Sequence, residues 1–414
     1  MKQRIFSLIS VLIGVVLALA AVELTAIVWL WCEDGRYTAA TELFERTQNT
    51  YVREINRNSG CRYGDTMYPH PYVGFVHHGN PPCGVPNINN VGLFNDDFPS
   101  IKRTDRYVIL LTGGSVASQM AQASPSPPAP RFLEDELNAR YVSPTGKPFL
   151  VLHGGDGAWK QPQQFILFSL YATSIDAVVT LDGYNERYFF RSYTEDRLER
   201  PLANFLEVNP FVANENFGDA AIAWVIGRVN GALQRNPVLG HSHAAYLIVR
   251  GIEVMAKRQH VPAREKKTTL DSLFRLPDDI RGNAEKVFQI QLALYQKYER
   301  LIEAVAKENG VKTAYFLQPV PAWGKELTEE ERRDAGDLTY APLYRRMVEG
   351  MMTLRERGLK VYDLGDILKD VKERVYADDV HFLRAVGGPS NGYSIMAARM
   401  GEHLAEAWGL QRKP

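Results

Sequence analysis

Tyr107-Val108-Ile109-Leu110-Leu111-Thr112-Gly113-Gly114-Ser115 is the stretch that decides the fold. The run through Thr112 reads as a short buried strand, and the two glycines allow a tight turn at its end. A serine just beyond such a strand stands where an open α/β sheet places its reactive groups. Comparable runs follow at Phe149–His153, Ala177–Leu181, Thr313–Leu317 and Lys360–Tyr362. Arg131–Arg140, Pro162–Thr173, Ala284–Asn309 and Asn391–Ala407 read as helices. In the third, Leu292, Tyr295, Leu301, Ile302 and Val305 form an apolar stripe at helical spacing, and Gly310 follows as a C-cap. Strand alternating with helix predicts an α/β fold, three layers (α/β/α) built on a mainly parallel sheet.

Composition narrows the class. The chain has 414 residues, 45% of them hydrophobic and 23% charged, with a formal net charge of zero. This is globular composition without the basic surplus of a nucleic-acid binder, so no nucleic-acid partner is expected. Lys2 and Arg4 precede a charge-free run from Ile5 to Val22, and the apolar run resumes after Glu23 as far as Trp31. Residues 5–31 are long enough to span a bilayer, with the basic end cytoplasmic and the remainder exported. A retained anchor over residues 1–32 is the favoured reading, and a signal peptide cleaved near Ala18-Leu19-Ala20 is the alternative. Glu23 lies toward the outer half of the run, where it either faces a partner helix or tolerates its depth. Cys61 and Cys83 flank a loop-rich exported segment and are a candidate disulfide, while Cys32 sits at the end of the anchor.

The segments then follow. Residues 33–104 are a membrane-proximal lead-in. Its stretch 61–100 is rich in Pro, Gly, Asn and His and is expected to form turns rather than regular structure. Residues 105–190 and 311–414 are the two parts of the catalytic domain. Between them, residues 191–310 are a mainly helical insert that includes Ala220–Gln234 and Ala244–His260, expected to act as a cap or a partner surface. Ser124-Pro125-Ser126-Pro127-Pro128 is a stiff loop placed to wall the site.

The second chemical signal is Asp378-Asp379-Val380-His381. A serine hydroxyl is a weak nucleophile until a base takes its proton, and imidazole titrates in the right range for that role. Asp378 can reach around a turn to fix the imidazole tautomer, with Asp379 the less favoured candidate. Two further segments follow strands: His153-Gly154-Gly155-Asp156-Gly157 and Leu181-Asp182-Gly183-Tyr184-Asn185-Glu186. A glycine N–H and an asparagine amide there can both donate to an oxyanion. Each of these segments read alone is an ordinary turn or cap. Ser115 is not followed by the glycine of a Gly-x-Ser-x-Gly elbow, which argues against an ordinary α/β-hydrolase.

In this order the segments resemble the four blocks of the SGNH/GDSL hydrolase superfamily. The resemblance covers roughly residues 105–190 and 310–410. It implies a flavodoxin-like sheet, Ser115 as nucleophile, His381 and Asp378 as base and orienting acid, and an oxyanion hole of Ser115, Gly157 and Asn185. Gly114, His153 and Glu186 depart from residues common in the family, and Gly154 and Gly155 leave the second-block glycine open by a residue or two. The lead-in and the stretch from Leu317-Gln318-Pro319 to Lys325-Glu326-Leu327-Thr328 look like membrane-anchored bacterial members.

The leading expectation is an exported, inner-membrane-anchored esterase acting on an acylated carbohydrate or lipid. The alternatives are an O-acyltransferase working with a membrane acyl-transfer partner, and a non-catalytic glycan-binding assembly component. No cofactor is expected. His77-His78 and His241-Ser242-His243 are close pairs, but no metal-ligand pattern accompanies them.

Overall fold

An apolar run with no polar alternation is stable only if both of its faces are covered. The computed structural model places the quoted run in that setting, with Tyr107–Gly113 buried along its whole length. The residues described are 2–46, 66–79, 87–120, 131–188, 229, 232–233, 236–259, 279–280, 282–383 and 391–414. The Cys61–Cys83 pair, the Ser124–Pro128 loop and nearly all of Ala220–Gln234 lie outside them.

The strands are β1 (Met67–His70), β2 (Gly74–His77), β3 (Tyr107–Gly113), β4 (Tyr141–Val142), β5 (Phe149–Gly155), β6 (Ala177–Asp182), β7 (Lys312–Leu317), β8 (Val361–Asp363) and β9 (Gln411–Arg412). The helices are α1 (Lys2–Asp34), α2 (Ala40–Arg46), α3 (Ser115–Met120), α4 (Phe132–Arg140), α5 (Gln163–Tyr171), α6 (His243–Gln259), α7 (Ala284–Glu308), α8 (Glu329–Ala335), α9 (Ala341–Met352) and α10 (Gly392–Trp408).

The protein is mixed α/β around a central parallel sheet of five strands in the order β5-β3-β6-β7-β8. The register sets Gly113 beside both Gly155 and Leu181, so the ends of β3, β5 and β6 lie level. β3 is flanked by β5 on one side and β6 on the other, so the strand order reverses there. In open α/β sheets ligands occupy the crevice beyond the carboxyl ends of the strands at such a reversal. Amphipathic helices cover the sheet where their apolar residues recur at helical spacing. On α7, Asn283 caps the first turn by accepting from the Lys286 N–H at 3.0 Å, and Val287, Phe288, Tyr295 and Ile302 are buried.

The described residues divide into two compact units, one of 1–65 with 210–268 and the other of 66–209 with 269–414. The sequence insert 191–310 is therefore divided. In the first unit, α6 packs on α1 and α2 through Leu30, Leu43, Phe44, Ala245, Tyr246 and Val249. α7, in contrast, belongs to the sheet-bearing unit. α1 supplies the one described helix long and apolar enough to cross a membrane, over Ser10–Asp34.

The lead-in corrects one expectation. Residues 67–77 form an antiparallel hairpin, with Met67 opposite His77 and His70 opposite Gly74. The glycine and prolines that suggested turns mark the bend and the edge of two short strands. Val73, Phe75 and His77 bury their side chains in the same unit as the sheet, and that burial outweighs the weak local propensity.

Gly113 tests the strand-end packing. A β-carbon there would lie 2.1 Å from the Leu181 carbonyl oxygen, a backbone atom that cannot swing away. Gly113→Ala is expected to cost about 3 kcal/mol, the upper end of overpacking effects. The check is the urea midpoint of the full chain in detergent; an unchanged midpoint would mean β3 and β6 do not approach this closely.

Candidate active site

Ser115 is the first residue of α3, directly past the end of β3, and its N–H therefore lacks an intrahelical acceptor. His381 arrives from a site 266 residues further along the chain, and its Nε2 lies 2.7 Å from Ser115 Oγ. On the other side of the ring, His381 Nδ1 lies 2.9 and 3.0 Å from the two Asp378 carboxylate oxygens. With the proton on Nδ1, Asp378 accepts it and Nε2 is left to accept from the serine hydroxyl. His381 is buried, whereas Ser115 is only half-buried and can be reached.

A short reversal of chain carries the histidine. Ala377 N–H donates to the His381 carbonyl at 2.8 Å, Leu383 N–H donates to the Val375 carbonyl at 2.7 Å, and Tyr376 bridges Phe382. Asp378 Oδ1 also accepts from the N–H groups of Val380 at 3.0 Å and His381 at 2.7 Å. Burial pushes the Asp378 carboxyl up, but the charge and hydrogen bonds of His381 and the two backbone donors outweigh it and hold the group at about 2. Asp378 is therefore ionised throughout the neutral range. Asp379 faces elsewhere: its carboxylate accepts from the Tyr184 hydroxyl, and its carbonyl accepts from Tyr340 Oη at 3.2 Å. The acid that meets the histidine is Asp378.

Glu331 fixes the reversal from outside. It completes a capping box with Thr328 at the start of α8. Its Oε1 also accepts from the N–H groups of Val375 at 2.8 Å and Tyr376 at 3.0 Å, and Lys325 pairs with Oε2 at 2.8 Å. Nothing in the local pattern of residues 325–331 announces that distant role.

Asn185 closes the site from β6. Its Nδ2 donates to the Trp159 carbonyl at 2.9 Å, which leaves a second amide N–H. A β-carbon on Gly114 would sit 2.2 Å from that Nδ2. Glycine at 114 thus has a local reason, since any side chain there displaces Asn185. Gly155 serves a related approach: a β-carbon there would lie 2.7 Å from the Gly113 carbonyl oxygen.

The turn after β5 is organised by the lead-in. His77 Nε2 lies 2.9 Å from Asp156 Oδ2, and its Nδ1 lies 2.9 Å from Thr66 Oγ1, all buried. Asp156 Oδ1 accepts from the Gly157 N–H at 2.6 Å, so that donor is already engaged. The next residue, Ala158, has a φ of 60°, and among the described residues nothing accepts from its N–H. His153 is a separate core group. Its Nε2 meets Ser118 Oγ at 2.8 Å, and burial pushes its pKa down to about 4, so it stays neutral.

Beneath Asn185 lies a cluster of carboxyls that sequence reading passed over. Glu186 accepts from the Gly183 N–H at 2.7 Å and from Gln164 Nε2 at 3.0 Å. Asp182 accepts from the Tyr295 hydroxyl, and Glu299 on α7 accepts from Gln161 Nε2 at 3.3 Å. Asp182 Oδ2 and Glu299 Oε2 are buried without a hydrogen-bond partner among the described residues. Burial, reinforced by neighbouring carboxyls, pushes Asp182 well above its ordinary range and brings Glu186 and Glu299 each to about 8. The three groups form a neutral, hydrogen-bonded floor under the Gly183–Glu186 turn. Among the described residues no group of three His, Cys, Asp or Glu side chains is arranged to hold a metal ion.

No protein-family model matches the chain, and no curated protein matches it. The geometry itself therefore bears the functional argument.

The carboxyl floor has a pH signature. A glutamate ionises at about 4.3 in an unfolded chain, whereas Glu186 and Glu299 hold their protons in the folded state to about 8. Their contribution to stability is complete below the unfolded value and is lost progressively as pH rises to the folded one. The thermal midpoint of the full chain in detergent should fall between pH 5 and 8 (roughly the window these values set), and Glu299→Gln should flatten the decline. A variant with the wild-type slope would contradict a protonated floor.

Proposed function

We propose that this chain is a serine esterase of the SGNH/GDSL superfamily that removes an O-acyl group from a carbohydrate or lipid. One observation carries the reading: Ser115 Oγ, His381 and Asp378 lie in line at hydrogen-bond distances, at the edge of a parallel sheet. The level strand order supports the three-layer, flavodoxin-like arrangement that belongs to this proposal. The apolar N-terminal helix supports the rest of it, a single-pass anchor in an inner membrane with the site on the periplasmic side.

Chemically, His381 Nε2 takes the Ser115 proton as Oγ attacks the acyl carbonyl. The Nδ1–H···Asp378 bond holds the tautomer and stabilises the imidazolium. Negative charge on the former carbonyl oxygen meets the Ser115 N–H, the second Asn185 amide N–H and the Gly157–Ala158 turn, where the Ala158 N–H is the donor without an internal acceptor. His381 then protonates the departing alcohol. Water attacks the acyl-enzyme by the same route, releasing the acid and restoring Ser115.

An aryl acetate tests the chemistry with the full chain in detergent. Ser115→Ala is expected to abolish turnover. Asn185→Ala should lower kcat by roughly 100- to 1,000-fold with little change in KM, the cost of losing one oxyanion donor. Equal turnover by wild type and Ser115→Ala would overturn the proposal. Acyl transfer to an added glycan in preference to water would reassign the same residues to an acyltransferase.

A further inference from the structure

Glu23 is the one charged residue between Ile5 and Trp31, and the structure gives it a partner. Its Oε1 accepts from the His243 N–H at 2.6 Å and lies 3.0 Å from His243 Nδ1. Its Oε2 accepts from Ser242 Oγ at 2.7 Å and from the Ala244 N–H at 3.2 Å. A carboxylate on α1 thus caps the first turn of α6, where free N–H groups and the helix dipole favour negative charge. Farther along both helices, Arg250 pairs with Glu33 at 2.5 and 2.7 Å. The two contacts fix direction: α6 runs beside α1 from Glu23 toward Glu33, with Leu30, Tyr246 and Val249 in the shared core.

Direction decides which end of α6 is nearest a membrane. α1 leaves the bilayer from its charge-free stretch toward Asp34, so the start of α6 and the turn before it form the membrane-proximal end. That turn is Pro237-Val238-Leu239-Gly240. Val238 is 73% exposed and Leu239 is 41% exposed. Their backbone donors are nevertheless satisfied within the turn: Asn236 Oδ1 accepts from the N–H groups of Val238 and Leu239, each at 3.0 Å. The Gly240 N–H donates to the Asn236 carbonyl at 2.9 Å, and the His241 N–H donates to the Val238 carbonyl at 3.2 Å. A turn with apolar side chains outside and its N–H groups paired can enter lipid without carrying unsatisfied donors into it. No formally charged residue occurs from Asn236 through Val249.

We infer that the Pro237–Gly240 turn is a second membrane contact, in which Val238 and Leu239 enter the bilayer face from which α1 emerges and the Glu23 cap sets their depth. The inference rests on α1 being a membrane span. Lipid is the occupant because the turn leads directly into the α6 start held by Glu23, and Leu24 and Val28 on α1 next to that glutamate are themselves 63% and 57% exposed, apolar surface continuous with the span. The same contact accounts for a glutamate inside the apolar run, since the Ser242 hydroxyl and the His243 and Ala244 N–H groups compensate the carboxylate where water is scarce.

Photocrosslinking tests this with the full chain in phosphatidylcholine–phosphatidylglycerol vesicles. p-Benzoylphenylalanine replaces Val238, and adducts are identified by mass. Lipid adducts are expected, at least fivefold above the yield of the same probe at Thr145, an exposed turn position in the sheet-bearing unit. Adding Glu23→Gln is expected to cut the lipid adducts at least threefold while the chain stays in the membrane fraction after carbonate washing. Adducts to protein or to a second copy, or no lipid adduct, would overturn the inference. Release by carbonate would instead remove the anchor reading on which it rests.

Discussion

Ser115 and His381 meet across 266 residues of chain, and a level sheet edge makes this meeting possible. β3 pairs with β5 and β6 in a register that brings Gly113, Gly155 and Leu181 alongside one another. The glycines let the strand ends and the turns beyond them approach at distances a β-carbon forbids. The serine, the turn after β5 and Asn185 therefore share one rim. Side chains at 113, 114 or 155 would move that rim before they touched the chemistry.

Around the rim, each group of the proposed site is held by a different physical device. A carboxylate fixed by two backbone N–H groups orients His381, and Glu331 ties the segment before it, at Val375 and Tyr376, to the start of α8. Asn185 rides on a turn whose floor is three carboxyls kept neutral by burial. The turn after β5 is bound through Asp156 to His77, which connects the lead-in hairpin to the proposed site. Glu331, the three carboxyls, Asp156 and His77 are buried, so their hydrogen bonds are shielded from water and costly to leave unmade.

Strands and helices of the sheet-bearing unit were legible because burial on both faces, or along one stripe, leaves a periodic mark. The five strand runs match the observed strands to within a residue or two. Ser115, His381 and Asp378 were legible as a spacing, and Asn185 as the residue after a strand end. Glu299, Glu331 and His77 were not, since each acts through a partner distant in sequence and sits in an unremarkable local pattern. The hairpin at 67–77 was hidden by Pro69, Pro71 and Gly74, whose turn signals are local while the burial that forms the strands is tertiary. The engaged Gly157 N–H depends on a contact with the neighbouring Asp156 side chain that spacing cannot reveal.

Activation of Ser115 by His381 and Asp378 is tested most directly by treating the full chain with a fluorophosphonate and mapping the adduct by peptide mass spectrometry. A single phosphonylated residue, Ser115, is expected, with labelling lost in His381→Ala. An unlabelled chain, or an adduct on another serine with Ser115 unmodified, would contradict it.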